Sequence, residues 1–135
     1  MLARIMTEPA ETTFPLKEFL GLTIERGEGR GTVSLELGEQ HHNPNAVTHG
    51  AVPFAMMDTA MGAAVMSVVP EGHMCATVEI HTRFHRGASS GRLTAEAEVL
   101  TAGRRIVQLS ARTVDDEGRL VASSTGSFMV IEPRG

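Results

Sequence analysis

From Gly50 to Val69 the chain carries Ala, Met, Phe or Val at most positions, and this run dictates most of what it can fold into. The stretch is longer than an ordinary strand, and its alanines and methionines favour helix. Pro53 is tolerable only in a first turn, so the helix should begin around His49 to Gly50, with Thr48 as its N-cap. Pro70 and Gly72 should end it. A helix that is apolar on every side must be wrapped by the rest of the protein. The longer weakly charged stretch from Ala46 to Val69 is interrupted by His49, Pro53, Asp58 and Ser67, which makes it a poor membrane span.

Beyond the helix the apolar pattern changes to period two. Val78, Ile80, Thr82 and Phe84 alternate with polar partners, as do Leu93, Ala95, Ala97 and Val99, and then Val107, Leu109, Ala111 and Thr113. Leu120 to Val130 reads as a last strand, with turns at Gly87, Gly91, Gly103 and 115–118. Before the helix, Phe14 to Leu20 reads as a short helix stopped by Gly21, and Leu22 to Arg26 as a short strand. Gly27, Gly29 and Gly31 read as a turn, Thr32 to Leu37 as a half-buried strand, and 38–45 as a loop. The expected fold is α+β: one curved antiparallel sheet, its last four strands a meander, around one central helix. Such a sheet has an edge that wants a partner, so a homodimer is expected.

The 135 residues suit a single domain spanning 1–135, with 1–12 as a loose leader. That leader has no sustained apolar core, so no secretory signal is expected. One cysteine, Cys75, points to a reducing, cytoplasmic setting and reads as a small core residue. A formal net charge of -4 argues against nucleic acid as a partner, and no membrane partner is expected. Six histidines are present, but no zinc spacing is, so no metal is expected.

Asp58 is the anomaly, since it sits mid-helix in FAMMDTAMGAAV among groups that cannot solvate it. A carboxylate there needs a partner, a shifted pKa or a wet pocket. Either it salt-bridges an arginine or it marks a functional site. His49-Gly50 lies at the helix start, where backbone N–H groups are left over and the dipole favours negative charge. Gly50 is either a plain helix-start glycine or a donor to a developing oxyanion. The two groups are eight residues apart, about 12 Å along one helix, whereas a base must come within about 3 Å of its target. One chain cannot set both on one carbonyl; two antiparallel helices across a dimer can.

The run NPNAVTHGAVPFAMMD, the strand TVEIHTRFHRGA, the GRR turn at 103–105 and the terminal GRLVASSTGSFMV together resemble the hot-dog-fold thioesterases of the phenylacetate-degradation (PaaI-like) type. The likeness covers roughly residues 14 to 131. It implies a homodimer, often paired again as a homotetramer, that hydrolyses acyl-CoA thioesters with no cofactor beyond the CoA of the substrate. By the resemblance, the Gly50 N–H polarises the thioester carbonyl and Asp58 is general base or nucleophile. Asn43 orients water or nearby backbone, His49 supports the loop or contacts the thioester, and Thr77 assists the carboxylate. Two positions depart from the family pattern: Ala51 stands where a second glycine is common, and Gly87 where many members have proline.

CoA carries phosphates, so cationic groups should ring its channel. Arg83, His85 and Arg86 form one local patch, and Arg104 with Arg105 another; ordinary surface charge is the alternative for each. Met56, Met57, Met61 and Met66 are candidates to line an acyl pocket. The 4% aromatic content offers no stacking platform for an aryl substrate. Two other functions fit the same residues: an acyl-CoA dehydratase using His49 and Asp58, or a module that binds acyl-CoA without turnover.

Overall fold

The computed structural model describes residues 13–134; the leader expected at 1–12 lies outside them. Helix α1 (Pro15–Leu20) opens on a proline, whose fixed φ suits a first helical turn. It ends at Gly21, at φ 78°, where the Gly21 and Leu22 amides both donate to the Lys17 carbonyl at 2.9 Å. Strand β1 (Thr23–Gly27) turns at Glu28-Gly29, both at positive φ, into β2 (Arg30–Glu36). That is the two-residue turn whose twist matches a hairpin.

Gly31, expected in this turn, is instead inside β2. A Cβ there would overlap the Ala60 carbonyl oxygen and crowd the Ala63 Cβ at 3.0 Å. Its bare backbone lets the sheet close on helix α2 (Ala51–Met66). Met56, Met57, Ala60, Met61, Ala64 and Val65 of α2 are fully buried against the sheet. The sheet answers with Val33, Leu93, Ala95, Val107 and Leu109, each at the inward phase of its strand.

The N-cap differs from expectation. The Thr48 hydroxyl donates to the Ala88 carbonyl at 2.5 Å, while His49 Nδ1 accepts the Ala51 amide at 2.9 Å. His49 thus takes up an orphan helix donor that Thr48 is too occupied to reach. At the other end, Ser67 Oγ donates to the Ala64 carbonyl and accepts the Gly29 amide, both at 2.7 Å, tying the helix end to the β1–β2 turn. His41, in a 3-10 turn (Glu39–His41), is buried. Its Nδ1 accepts the Gly38 amide, so Nε2 carries the proton and donates to the Leu20 carbonyl, holding α1 to the loop.

The remaining strands are β3 (Met74–Phe84), β4 (Arg92–Ala102), β5 (Ile106–Val114) and β6 (Leu120–Ile131). They join one antiparallel sheet in the order β1-β2-β4-β5-β6-β3. The expected four-strand meander is therefore three strands, β4-β5-β6, and β3 pairs with β6. The cause is the 85–91 connection, which is not a hairpin turn. It crosses the helix start, where Ala88 accepts from Thr48, Ser89 accepts from His42, and Gly91 accepts from the Leu37 amide. This leaves β3 as an edge, with Met74, Val78 and Phe84 all more than half exposed. One long helix in a curved antiparallel sheet is the hot-dog fold.

Candidate active site

Helix α2 buries most of its surface, but Asp58 and Thr59 point out between the helix and the β3 edge. Asp58 is half-buried rather than sealed, and it lines a cavity of about 930 Å³. The β3 register slips between Thr77 and Glu79, leaving Val78 as a bulge. Thr77 lines the cavity on the near side of that bulge, and its hydroxyl donates to Asp58 Oδ1 at 2.7 Å. The carboxylate is thus fixed by one charge-assisted bond through Oδ1.

Cys75, expected as a small core residue, is partly buried against the core and also lines the same cavity two residues earlier on β3. Burial pushes its thiol above the ordinary range and the Asp58 charge adds to this, while Arg26 opposes. A thiol held protonated beside a carboxylate is a poor nucleophile. Around these groups the lining is largely apolar, with Phe14 of α1, Ile24 of β1, Ala63, Met66 and Phe128. Of the four methionines expected here only Met66 contributes; Met56, Met57 and Met61 are turned into the core. Two aromatic rings face the cavity in spite of the low aromatic content.

Gly50 lines a different cavity, of about 360 Å³, together with Phe84, His85 and Arg86. No residue lines both cavities. Among the described residues the Gly50 amide donates to no acceptor, leaving one donor at the helix N-terminus unspent. Asn43 folds the loop before the helix: its Oδ1 accepts the Asn45 amide at 2.8 Å and the Val47 amide at 3.3 Å.

The thioesterase superfamily profile matches residues 45–122, which span the helix, the β3 edge and most of the meander. The chain belongs to the thioesterase superfamily. Membership places its chemistry among thioester hydrolases. The chain is 32% identical over 127 residues to a candidate esterase of Halobacterium salinarum, covering 85% of this chain and 83% of that one. It is 24% identical over 120 residues to the 1,4-dihydroxy-2-naphthoyl-CoA hydrolase of Listeria monocytogenes, covering 88% and 98%. A solved phenylacetic acid degradation-related protein of Ralstonia eutropha superposes with a TM-score of 0.82 at 24% identity, covering 94% of this chain and 97% of that one; the likeness there is of fold.

In this thioesterase-superfamily chain the basic residues divide between the two ends of α2. His85 and Arg86 are beside Gly50, while Arg83 lies on the outer face of β3 opposite Ser123. His85 Nε2 is 2.8 Å from Ser123 Oγ. Arg104 pairs with Glu132 at 3.7 Å at the far end of the sheet, where the Arg105 carbonyl accepts the Val130 amide. Of the five basic residues expected at the channel, only His85 and Arg86 line a cavity with Gly50 or Asp58; Lys17 and Arg26 line that of Asp58. Arg26 went unnoticed in the sequence, although it shares the inward phase of Leu22 and Ile24 and so had to face the helix. Among the described residues no three His, Cys, Asp or Glu side chains gather as a metal site requires, and no helix is long and apolar enough to cross a membrane.

Proposed function

We propose that the protein hydrolyses acyl-CoA thioesters to a free acid and CoA-SH, in sites shared between two subunits. The observation that carries this reading is the separation of two matched halves. A carboxylate held by Thr77 lies in one cavity, and an unspent helix N-terminal amide lies in another with Arg86 beside it. Strand β3 runs from the Asp58 end of the helix to the Gly50 end. Pairing two β3 edges about a two-fold axis near mid-strand would set the Phe84 end of one against the Thr77 end of the other. Gly50 of the partner subunit would then face Asp58. The exposed Met74, Val78 and Phe84 give that edge an apolar reason to pair.

In the water route Asp58 takes a proton from water as its oxygen attacks the carbonyl carbon. The oxyanion is held by the Gly50 amide, and collapse expels the CoA thiolate, which recovers the proton. In the covalent route Asp58 attacks directly, thiolate leaves, and water opens the mixed anhydride. Neither route needs a metal or cofactor, and CoA enters with the substrate. Arg86 and His85 would meet its phosphates. The CoA thioester named for the Listeria relative supports this substrate class. Met74, Ile106, Met129 and Ile131, exposed together on the outer face, favour a second pairing into a tetramer. A half-buried free thiol fits the cytoplasm.

Asp58→Asn is expected to lower thiol release from acyl-CoA by about a hundredfold or more. Gly50→Pro deletes the amide at a φ of -57° that proline accepts. Mixing the two inactive variants should return about a quarter of the wild-type turnover after random exchange, since about half of the dimers are mixed and each of those has one intact site of two; purified heterodimers should show about half. Undiminished turnover in Asp58→Asn, or no rescue in verified heterodimers, would refute the shared site.

A further inference from the structure

Gly62 is the single glycine within α2, where glycine is the poorest helix former after proline. Glycines facing a sheet are usually explained by close approach, as Gly31 is. Gly62 is not: a Cβ built on it meets only the Phe128 ring, at an ordinary 3.7 Å. Nor does its backbone take a conformation that favours glycine. The position would accept alanine and gain helix stability, so something else keeps the side chain absent.

That something is the cavity. Gly62 lines it one helical turn beyond Asp58, about 6 Å along the axis, on the face that also carries Ala63 and Met66. A side chain at 62 would project between Asp58 and the apolar wall of Ile24, Met66 and Phe128. We infer that Gly62 sets the acyl size limit, its bare backbone leaving room for an extended apolar acyl or aryl group to lie along the helix past the reacting carbon. This rests on Asp58 being the reaction centre. An acetyl group would end before reaching position 62, whereas an octanoyl or benzoyl group would have to pass it.

The test is thiol release from acetyl-, butyryl-, octanoyl- and benzoyl-CoA by wild type, Gly62→Ala and Gly62→Leu, with melting temperatures for each. Wild type should favour octanoyl- or benzoyl- over acetyl-CoA. Gly62→Leu should lose about tenfold or more in kcat/KM on the large substrates and change less than about twofold on acetyl-CoA. Gly62→Ala should move the same way by less, and melt higher. An equal fall on all substrates, an unchanged profile, or a Gly62→Leu chain that fails to fold would overturn the inference, because each shows the position to be packed or irrelevant. Wild type inactive on every thioester would instead sink the hydrolase reading, and this inference with it.

Discussion

Thr77→Val keeps the β-branched shape on strand β3 and deletes only the hydroxyl that donates to Asp58 Oδ1 at 2.7 Å. A hydrogen bond to a charged group contributes about 1.5–3 kcal/mol net. Thr77 is exposed and Asp58 half-buried, so water competes for the same oxygen and the contribution falls around or below the lower end of that range, about 1–2 kcal/mol. At about 1.4 kcal/mol per factor of ten, kcat/KM should fall roughly 5- to 30-fold. Thr77→Ser retains the hydroxyl and should recover most of the loss. Melting temperature should barely move in either variant, since valine and threonine both suit a strand. The assay is continuous detection of released thiol over a range of acyl-CoA concentrations, with a thermal melt of each variant. Undiminished kcat/KM in Thr77→Val, or a loss in Thr77→Ser as large as in Thr77→Val, would refute the idea that this hydroxyl holds the carboxylate in its working position.

Gly31→Ala should destabilise the fold by about 1–3 kcal/mol, several degrees in melting temperature, because its Cβ would meet the Ala60 backbone and α2 would have to lift; an unshifted melt would refute the close approach. In the β5–β6 turn, burial pushes the Asp115 carboxyl up, but the Arg119 amide and guanidinium and the Glu117 amide outweigh it and hold it below the usual carboxylate range. Its stabilisation is therefore complete above the unfolded value of about 3.9 and drains as pH falls through the folded value. Asp115→Asn should flatten the acid limb of a melting-temperature-against-pH curve, and an unchanged slope would contradict this. The Asp58 charge raises the Cys75 thiol, so Asp58→Asn should speed Cys75 alkylation by iodoacetamide near neutral pH; an equal or slower rate would show that the two groups do not interact.

Much of the architecture was legible because it is written in local periodicity. The apolar run at 50–69 could only be a wrapped helix, and the inward phases of Leu93, Ala95, Val107 and Leu109 appear as the alternation requires. Asp58 stood out for its chemistry, and Thr77 was found through likeness to a family rather than through any local pattern. Some expectations failed for want of long-range information. Thr48 had the right residue type for an N-cap, but the distant 85–91 segment claimed its hydroxyl, the cap falls at Gly50, and the His49 ring accepts the Ala51 amide. Asp58 was expected to need a partner or a wet pocket and has both Thr77 and a cavity, but no periodicity reveals that its side of the helix faces an open strand edge. The methionines show the same limit, since type alone cannot tell Met66 on the cavity from Met61 in the core.

The sequence by itself determined the element types, the inward faces of the strands and the identity of the odd carboxylate, because each depends on neighbours within a turn or two. Only the tertiary structure decided that β3 pairs with β6 and becomes an edge, that Gly31 is a contact rather than a turn, and that Gly62 borders open space. Those outcomes depend on which distant backbones compete for the same hydrogen bonds and the same volume, and no local pattern encodes that competition.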